Sequence, residues 1–483
     1  MIKLTLTEIV QAMQGRPWGE LATVSVGGVS TDSRTAAASD LFFAIRGPRF
    51  DGHDFVAAAL QRGAVAAVVE AAQAARVAER LRTADVRLPH SAVLIEVDDT
   101  LAALGRLAAF HRRQHPAEVI AVVGSNGKTT TKAMIHHILS GRRRGRCSPK
   151  SFNNAIGVPL TLLSAEPADE VLVVEVGTNS PGEIDALGAI VEPDMAVITC
   201  IAEEHLEGLG DLDGVAAEEC SILKHVRPRG FAAVNIENPA VVRHLPGDGA
   251  TPGARPGPLH VATFGRHAEA DVRLTELNYE SPWLRFKLND RFPFRLRMAG
   301  MHNAVNAAAA VTMARRLGFD YPEAAVRLES FVTPPMRNEI IEMGGITVIN
   351  DAYNANPHSA AAAIEVLEQM PCRRERIAVF GEMRELGPQS AALHRRVADR
   401  LRSSGVHRVI LVGEGTDAMR DALAGGDLFG PRVERCADVD DCLARLADSV
   451  RPGDVVLLKA SRAVGLERVV EPLRERLHPR PKP

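Results

Sequence analysis

The sequence predicts an α/β protein of three domains, in which a small N-terminal α/β domain is followed by a central parallel sheet and a C-terminal doubly wound sheet. Three observations favour this fold. The 483 residues exceed what one hydrophobic core usually supports. Aromatic residues make up only 4 % of the chain, so the core must be mainly Val, Leu, Ile and Ala, which is typical of parallel sheets covered by helices. Strand-like apolar runs also alternate with helical patterns along most of the chain.

The N-terminal domain is predicted to span residues 1–97. It contains short strand-like runs, an alanine-rich helical pattern over residues 55–81 and a strand over residues 92–97. Beyond it, Asp99 is a candidate N-cap of a helix whose apolar residues recur at helical spacing before Pro116. We therefore place the domain boundary after residue 97.

The central domain is predicted to span residues 98–332. Continuous apolar runs indicate buried parallel strands, and one alternating run indicates a half-exposed strand. The buried strands are expected at residues 119–123, 171–176 and 195–201, the half-exposed strand at 283–288 and a helix at 303–317. Residues 247–258 hold four Gly and three Pro and are interpreted as a surface loop.

The C-terminal domain is predicted to span residues 333–483. Four apolar runs separated by helical segments indicate a doubly wound, Rossmann-like sheet. Its strands are expected at residues 346–350, 377–380, 409–412 and 455–458.

Composition and charge disfavour several classes of function. A formal net charge of -3 gives no global field that would attract nucleic acid or an anionic membrane. The six cysteines form no C-x-x-C pair, which argues against a zinc site or a dithiol redox centre. Because no run of about 18 apolar residues and no signal-peptide pattern occurs, we expect the protein in the cytoplasm. We also expect it to be a monomer. The basic run at residues 142–146 is interpreted as a solvated helix end, with contact to an anionic ligand as the alternative.

A glycine-rich loop between a buried strand and a helix is the strongest functional signal. It consists of Gly124, Ser125, Asn126, Gly127, Lys128, Thr129 and Thr130. Glycines let the backbone approach a phosphate closely, and the following helix N-terminus adds its positive dipole end. Lys128 is predicted to contact the β- and γ-phosphates, and the Thr129 hydroxyl to ligate Mg²⁺. The loop therefore predicts an ATP-consuming enzyme whose central sheet is P-loop ATPase-like.

The spacing of the loop departs from the G-x-x-x-x-G-K-[ST] pattern, because the first glycine of that pattern would fall at Val122. An ordinary glycine turn is the alternative, although the preceding strand and following helix favour a phosphate loop. The chain contains no Asn-Lys-x-Asp run, which disfavours a GTPase switch.

Two polar side chains follow the ends of predicted strands. Glu175 lies where a buried strand meets Gly177, at the edge of an open sheet where ligands gather. Mg²⁺ bridging to ATP is one partner for this carboxylate, and a helix cap or salt bridge is the alternative. His205 follows another strand, and alone it would be a surface or hydrogen-bonded histidine.

Two asparagine-rich runs, at residues 153–160 and 351–357, are further candidates for a binding site. Side-chain amides both donate and accept hydrogen bonds, so they suit recognition of peptide or sugar amides. A turn is the default interpretation of asparagine next to proline.

Together these runs resemble the Mur ligases of bacterial peptidoglycan synthesis over nearly the whole chain. The resemblance rests on residues 30–34 and 49–55 in the first domain, on residues 124–130, 151–163, 175–184, 205–208 and 301–306 in the second, and on residues 351–356, 381–387 and 459–462 in the third. The loop alone would identify only the superfamily. Residues 353–356 and 381–387 point to the member that adds D-alanyl-D-alanine.

The resemblance implies an ATP-dependent amide ligase with ATP and Mg²⁺ as cofactors. ATP would phosphorylate the carboxylate of a UDP-N-acetylmuramoyl-tripeptide, and the amine of D-alanyl-D-alanine would then attack the acyl phosphate. A carboxylate is a poor electrophile, and phosphorylation converts its oxygen into a good leaving group. Domain closure would hold the amine against the acyl phosphate and exclude water.

The resemblance also implies roles for individual residues. Lys128, Glu175, His205 and Glu219 would form the catalytic group, of which the last three would ligate Mg²⁺ together with Thr129. Asn306, Arg337 and Asp351 would contact ATP. Ser33, Arg34, Gly52 and His53 would lie near the uridine diphosphate, Asn154 nearer the peptide, and Asn354 and Asn356 near the incoming dipeptide. ATP would thus be shared between the central and C-terminal domains.

One position departs from the family pattern. Mur ligases carry a lysine, carbamylated by CO₂, shortly after the segment that contains His205, and the matching residue here is Glu219. A glutamate offers the same charge and oxygen ligands on a shorter side chain. We therefore expect Glu219 to replace the carbamate directly or through a water. The alternative is that Glu219 is a helix-surface carboxylate and that Lys224 or no residue takes the role.

Two rival functions stay open at the level of sequence. The nearest is another amide ligase of the superfamily, such as the diaminopimelate-adding or folylpolyglutamate enzyme, although the chain lacks the Asp-Asn-Pro-Arg run of the diaminopimelate adder. The other is a nucleotide-binding regulatory or transport protein, which would use the loop as a switch and hydrolyse ATP slowly without either co-substrate.

Overall fold

Three β-sheets, each built from one consecutive part of the chain, organise the protein. The computed structural model describes residues 4–21, 25–83, 93–245, 259–424 and 430–477. Within these residues the sheets have five, nine and six strands, which confirms the predicted three-domain α/β fold. The boundaries after residues 97 and 332 fall between sheets and stay predictions. Among the described helices, none is long and apolar enough to cross a membrane.

The first sheet is small and mostly parallel. Its strands are β1 (Arg16–Trp18), β2 (Gly28–Ser30), β3 (Asp40–Phe43), β4 (Ala66–Glu70) and β5 (Val93–Val97), and its helices are α1 (Leu6–Met13), α2 (Val56–Gln61) and α3 (Ala71–Thr83). The order is β1-β5-β4-β3-β2, with β1 antiparallel to β5 and the other pairs parallel. β5 matches the predicted strand except for Ala92, which lies outside the described residues, as does the loop predicted at 247–258.

The continuous helical pattern predicted over residues 55–81 is wrong, because β4 interrupts it. Gly63 adopts φ +104° just after α2, a conformation that ends a helix at little steric cost only for glycine. Val68 and Val69 then lie fully buried in the sheet, where β-branched side chains pack well.

The central sheet has nine strands. They are β6 (Glu118–Val123), β7 (Gly145–Cys147), β8 (Val171–Glu175), β9 (Met195–Ile198), β10 (Phe231–Asn235), β11 (His260–Gly265), β12 (Val272–Glu280), β13 (Trp283–Leu288) and β14 (Phe292–Leu296). The helices are α4 (Thr100–Gln114), α5 (Lys128–Leu139), α6 (Gly157–Leu163), α7 (Glu183–Val191), α8 (Leu206–Leu209), α9 (Leu212–Cys220), α10 (Pro239–Arg243), α11 (His302–Arg316) and α12 (Tyr321–Glu329). The predicted strands and helix of this domain are all present, although β9 ends earlier than expected.

The order of the central strands gathers candidate site residues at one edge. It runs β14-β13-β12-β11-β10-β9-β6-β8-β7, and β6 pairs in parallel with both β8 and β9. The carboxyl ends of these three strands are therefore neighbours, and the segments that follow them share one side of the sheet. Alternate residues of β6 enter different cores: Val119, Ala121 and Val123 join one, and Ile120 and Val122 join the other.

The third sheet is doubly wound, as predicted. Its strands are β15 (Glu339–Met343), β16 (Ile346–Asn350), β17 (Arg376–Gly381), β18 (Arg408–Val412), β19 (Arg432–Cys436) and β20 (Val455–Lys459), and its helices are α13 (Pro357–Gln369), α14 (Ser390–Arg402), α15 (Asp417–Ala424), α16 (Val439–Ser449) and α17 (Val470–Leu477). The order is β15-β16-β20-β17-β18-β19, and β15 pairs antiparallel while the other pairs are parallel. All four predicted strands are present.

His111 on α4 is a buried histidine held neutral by its surroundings. It is 8 % exposed, and its Nε2 has no hydrogen-bond partner among the described residues. Burial, with a smaller effect of His115, lowers the pKa of His111 from 6.5 to about 4. Between these values the unfolded chain binds more protons than the folded protein, so this histidine's contribution to stability is lost as the pH falls.

We expect His111→Leu to reduce the acid sensitivity of the fold. Between about pH 7.5 and pH 4, the wild type should lose about 3 kcal/mol more stability than the variant, because each unit of pKa shift is worth about 1.4 kcal/mol. Urea unfolding across this pH range measures the difference. His260→Leu, at an exposed position, is the control and should leave the pH dependence unchanged. Parallel pH profiles for wild type and His111→Leu would contradict the expectation.

Candidate active site

The predicted phosphate loop joins β6 to α5 and lines a cavity of about 1180 Å³. Gly124 has φ +119° and Gly127 has φ +87°, both in the left-handed region. A Cβ at Gly124 would lie 2.3 Å from the Thr199 hydroxyl oxygen, and a Cβ at Gly127 would lie 2.3 Å from the Asn306 side-chain oxygen. Both positions therefore require glycine, and the loop is packed directly against its neighbours.

Lys128 folds back over its own loop. Its Nζ donates to the carbonyl oxygen of Gly124 and, at 3.2 Å, to that of Ser125, and it lies 3.6 Å from Glu204 Oε1. Burial opposes the charged ammonium, but the carboxylates of Glu204 and Glu219 outweigh it and raise the pKa of Lys128. The group therefore stays a cation and is held against the phosphate loop.

Glu175 ends β8 and is 1 % exposed. Its Oε2 accepts a hydrogen bond from Lys132 Nζ at 2.9 Å, and its Oε1 accepts one from Asn153 Nδ2 at 3.1 Å. The salt-bridge alternative thus describes Glu175 in this structure, and its predicted role as a Mg²⁺ ligand stays a prediction. Lys132, one turn after Lys128 on α5, was not singled out by any pattern in the sequence.

Side chains of two domains meet at the start of α5. Thr129 Oγ1 lies 3.1 Å from Ser151 Oγ, and Arg337 Nη2 donates to Thr129 Oγ1 at 3.2 Å. The Arg337 guanidinium lies 3.9 Å from the centroid of the Tyr353 ring, a cation–π contact. Arg337 and Tyr353 belong to the predicted C-terminal domain, which therefore touches the phosphate loop.

The donor chemistry at Thr129 fits Mg²⁺. This ion takes few protein ligands and completes its shell with phosphate oxygens and waters. The hydroxyls of Thr129 and Ser151 are two hard oxygen donors next to the loop. The four predicted ligands are not preassembled, since the described part of the chain contains no group of three or more His, Cys, Asp or Glu side chains arranged to hold a metal. A metal here would depend on oxygens supplied by a bound nucleotide.

His205 reaches from the central to the C-terminal domain. Its Nδ1 is hydrogen-bonded to the Glu385 carboxylate, and its Nε2 lies 3.9 Å from Glu204 Oε1. Burial opposes the imidazolium, but the hydrogen bond to Glu385 and the carboxylate charges of Glu204 and Glu385 together outweigh it and raise the pKa of His205. His205 is therefore a hydrogen-bonded histidine at a domain interface.

Glu204 connects the loop to the C-terminal domain. It is 5 % exposed, its Oε2 accepts from Asn356 Nδ2 at 3.1 Å, and its Oε1 has no hydrogen-bond partner among the described residues. The Lys128 ammonium, 3.6 Å away, compensates the charge of this oxygen but is too far to donate a hydrogen bond to it. The oxygen can therefore still accept a hydrogen bond. Glu204 was also not predicted as a site residue.

Glu219 is buried beneath the phosphate loop. It is 1 % exposed on α9, and its Oε2 accepts from the backbone N–H of Gly124 at 2.8 Å. Burial raises the pKa of Glu219 to about 7, although the Lys128 ammonium opposes the rise. The helix-surface alternative is therefore wrong. Lys224, whose Nζ lies 3.8 Å from Asp185, is not among the residues that line the cavity.

The predicted ATP contacts Asp351 and Asn306 also line the cavity. Asp351 Oδ2 accepts from Lys459 Nζ at 2.5 Å, and the same ammonium donates to the Asn354 carbonyl oxygen at 2.8 Å. Asn306 Nδ2 donates to Asn303 Oδ1 at 3.1 Å, beside Gly127. Lys459 is a further residue of the cavity for which the sequence suggested no individual role.

Asn356 connects the phosphate loop to the start of α13. Its Oδ1 accepts from the Ser359 N–H at 2.8 Å, which caps α13, and its Nδ2 donates to Asn126 Oδ1 at 3.0 Å. The cap agrees with the turn interpretation of this run. The amide also links the phosphate loop to the C-terminal domain, while Asn354 lines the cavity.

Four residues predicted near the uridine diphosphate lie on the first domain, away from the cavity lining. They are Ser33, Arg34, Gly52 and His53. The Arg34 side chain is 85 % exposed and pairs with Asp32 at 2.7 Å. Both ring nitrogens of His53 have partners, Asp51 at 2.6 Å and the Glu70 N–H at 3.0 Å. The ring therefore links parts of the first domain, and neither nitrogen is available to a ligand. Asn154, by contrast, does line the cavity.

The basic run at residues 142–146 takes no part in this cavity. Arg142 pairs with Glu323, Arg143 with Glu118, Arg144 with Glu166 and Arg146 with Asp169. α5 ends at Leu139, so Arg142, Arg143 and Arg144 lie in the turn after this helix, whereas Arg146 lies on β7. The interpretation as a helix end and turn therefore holds for residues 142–144 only.

Three family models and several known enzymes match this chain over most of its length. Three family models match consecutive parts: the catalytic domain of the Mur ligase family over residues 25–112, the Mur ligase middle domain over 122–314 and the Mur ligase glutamate ligase domain over 336–462. The chain is 32 % identical over 481 residues to the UDP-N-acetylmuramoyl-tripeptide--D-alanyl-D-alanine ligase of Bacillus subtilis, covering 98 % of this chain and 99 % of that protein. The enzyme of the same name from Escherichia coli is 33 % identical over 482 residues, with the same coverage.

Solved structures with the same architecture support the match. A crystal structure of MurF from Acinetobacter baumannii superimposes with a TM-score of 0.82 and 29 % identity, covering 98 % of each chain. MurF ligase from Thermotoga maritima, solved in complex with ADP, gives a TM-score of 0.77 and 28 % identity over 94 % of this chain and 98 % of that one.

Proposed function

The chain belongs to the Mur ligase family, and from that membership we propose that it joins D-alanyl-D-alanine to UDP-N-acetylmuramoyl-tripeptide, releasing ADP and phosphate. It is an ATP-dependent ligase that forms a C–N bond in the synthesis of the peptidoglycan precursor. Relatives that match almost the whole chain have this activity, and the Thermotoga maritima relative binds ADP. We expect the enzyme to act as a monomer in the cytoplasm.

One observation carries the proposal: the C-terminal domain contributes side chains to the cavity at the phosphate loop. Arg337 donates to Thr129, and Asn356 donates to Asn126. A nucleotide bound at the loop would therefore touch both domains, and an amine substrate on the C-terminal domain would face the γ-phosphate. Holding two reactants in one cavity is what a ligase requires, because it replaces a bimolecular encounter by an intramolecular one. A nucleotide switch does not need to hold a second reactant beside the nucleotide.

The ligase reaction would proceed in two steps, phosphorylation of the carboxylate and then attack of the amine. An oxygen of the peptide carboxylate attacks the γ-phosphorus, and the bond from that phosphorus to ADP breaks. The amine nitrogen of the dipeptide then attacks the acyl carbon, the bond to phosphate breaks, and the amine proton leaves. The product is an amide, and one ATP has become ADP and phosphate.

We assign roles to this chain's residues on that basis. Lys128 binds the β- and γ-phosphates and stabilises the negative charge on the phosphoryl group during its transfer. Asn306, Arg337 and Asp351 contact the nucleotide, and Asn154 contacts the peptide near the acceptor carboxylate. Asn354 and Asn356 lie nearest the incoming dipeptide, and Ser33, Arg34, Gly52 and His53 mark the part of the first domain nearest the uridine diphosphate.

Thr129 and Ser151 would hold Mg²⁺ through their hydroxyls, with Glu175, His205 and Glu219 as the further predicted ligands. When bound, the ion would neutralise phosphate charge and orient the γ-phosphoryl group. Glu175 would have to exchange part of its pairing with Lys132 for that role.

Glu219 is proposed to supply the negative charge for which other Mur ligases use a carbamylated lysine. Its pKa of about 7 leaves it partly ionised at neutral pH, and a cation bound beside it would favour the charged form. Its carboxylate is already buried against the phosphate loop through the Gly124 N–H. A glutamate carries this charge without CO₂, so the enzyme should not depend on bicarbonate.

The expected result is that added bicarbonate leaves the wild-type rate unchanged. Glu219→Lys should lose activity and recover part of it when bicarbonate is supplied, because the longer amine can then form a carbamate. Initial rates of ADP formation in CO₂-depleted and bicarbonate-containing buffers make the comparison. Clear stimulation of the wild type by bicarbonate would rule out the role proposed for Glu219.

The function as a whole is tested by phosphate release. Both substrates together with ATP should give steady turnover, and omission of either UDP-N-acetylmuramoyl-tripeptide or D-alanyl-D-alanine should abolish it. Mass spectrometry of the complete reaction should show the pentapeptide product. Turnover that is undiminished without the nucleotide-sugar peptide would favour the regulatory or transport rival.

A further inference from the structure

Two loops from different domains face each other beside the phosphate loop. One follows β9 and carries His205, and the other follows β17 and carries Glu385. The Glu385 carboxylate is hydrogen-bonded to His205 Nδ1, and its backbone carbonyl accepts from the Glu207 N–H at 3.3 Å. Glu385 therefore contacts the central domain through both its side chain and its backbone.

Both partners have an unusual backbone conformation. His205 has φ +54° and Glu385 has φ +64°, in the left-handed region that non-glycine residues rarely adopt. Such residues cost about 1 kcal/mol or more each and persist where the surroundings hold them, commonly at functional sites. Gly387 follows with φ +56°, and a Cβ there would lie 3.1 Å from Glu207 Cα, so the loops fit closely.

The contact decides which nitrogen of His205 is available. Because Glu385 occupies Nδ1, only Nε2 remains for another partner. Nε2 faces the side of the ring where Lys128 lies, and it is 3.9 Å from Glu204 Oε1. A carboxylate on one ring nitrogen fixes the orientation and tautomer of the ring and makes the other nitrogen a better ligand. Both Glu385 and His205 line the cavity.

We propose that Glu385 is a positioning residue, which reaches from the C-terminal domain and holds the His205 ring with Nε2 directed at the phosphate loop. The histidine is then correctly oriented only while the C-terminal domain is docked, which couples docking to assembly of the nucleotide site. This inference rests on the proposed function, because it concerns the efficiency of that reaction.

The same interface contains a matched control. Arg396 on α14 pairs with Glu203 Oε1 at 2.9 Å, so it also joins the C-terminal domain to the segment before His205. It contacts neither the His205 ring nor the phosphate loop. Loss of Arg396 removes one partly exposed ion pair between the domains, which contributes little to docking, whereas loss of Glu385 also releases the His205 ring.

The experiment compares kcat and KM for wild type, Glu385→Ala, Glu385→Gln and Arg396→Ala in the complete ligase assay. Glu385→Ala should lower kcat about 10–100-fold, the usual effect of removing a partner that orients a ligating histidine. Glu385→Gln, whose amide oxygen can still accept from Nδ1–H, should recover most of the loss, and Arg396→Ala should stay close to wild type. Glu385→Leu, similar in length but without an acceptor, answers the same question if the alanine variant does not fold.

A double variant separates positioning from docking. If Glu385 acts through His205, adding Glu385→Ala to His205→Ala should lower kcat little further, because the ring it orients is already absent. Additive losses, or equal losses in Glu385→Ala and Arg396→Ala, would overturn the inference while leaving the ligase function intact. A wild type without dipeptide-dependent turnover would instead overturn the proposed function.

Discussion

Replacing Lys128 with methionine is expected to lower kcat on the order of 10²–10³-fold, the range found when one preorganised charge-stabilising group is removed from an active site. Its ammonium sits on the phosphate loop within reach of two carbonyl oxygens, and the carboxylates of Glu204 and Glu219 keep it charged. Methionine preserves much of the side-chain volume and removes the charge. Single-turnover formation of ADP in the presence of both substrates isolates this effect from product release.

Lys287→Met is the matched control for that change. Lys287 lies on β13, half-exposed, and pairs with Glu276 at 2.7 Å, far from the loop in the chain and outside the cavity lining. Its replacement should leave kcat unchanged, because exposed ion pairs contribute little. A Lys128→Met enzyme as active as the control would contradict the role assigned to the loop.

Replacing Lys132 with methionine is expected to destabilise the fold by about 3–5 kcal/mol, the usual effect of removing one partner of a buried ion pair. Lys132 and Glu175 pair at 2.9 Å, with side chains only 3 % and 1 % exposed. Without the ammonium, the Glu175 carboxylate is left charged and buried, or must take up a proton. The measurement is the shift in denaturant midpoint and in the thermal transition of the purified protein.

The double variant Lys132→Met with Glu175→Leu is the test of that explanation. It removes the stranded charge, and buried pairs replaced by apolar residues of similar size are often neutral in stability. The double variant should therefore recover most of the stability lost in Lys132→Met. If both unfold at the same denaturant concentration, loss of packing rather than an uncompensated charge explains the effect.

Local patterns predicted the elements of the fold well because each signal lies within a short stretch of chain. The strand at residues 119–123, the glycine loop and the helix after it form one continuous signal, and each is present in β6, the loop and α5. The same reliance on local pattern explains the error over residues 55–81. Alanine is the strongest helix former and is depleted in strands, so the alanine-rich run favours a helix locally. Residues 66–70 form a strand because β4 lies between β3 and β5, and these neighbours are not visible in the local pattern.

The partners of the site residues could not be predicted, because they are far apart in the chain. Glu385 is 180 positions from His205, and Asn356 is 230 from Asn126. Lys132 could be placed on the helix after the loop, but not against Glu175, since the pairing depends on how α5 packs on β8. Ser151 and Lys459 lie inside the runs that resemble the Mur ligases, which was the one available signal for them.

Transfer of oxygen-18 from the tripeptide carboxylate to the released phosphate reports directly on an acyl phosphate intermediate. Tripeptide substrate labelled with oxygen-18 in its acceptor carboxylate is incubated with ATP, D-alanyl-D-alanine and the enzyme, and the released phosphate is analysed by mass spectrometry. Attack of the carboxylate on the γ-phosphorus predicts one labelled oxygen in each phosphate released. Phosphate without the label, formed alongside the amide product, would contradict an acyl phosphate assembled at the loop between the central and C-terminal domains.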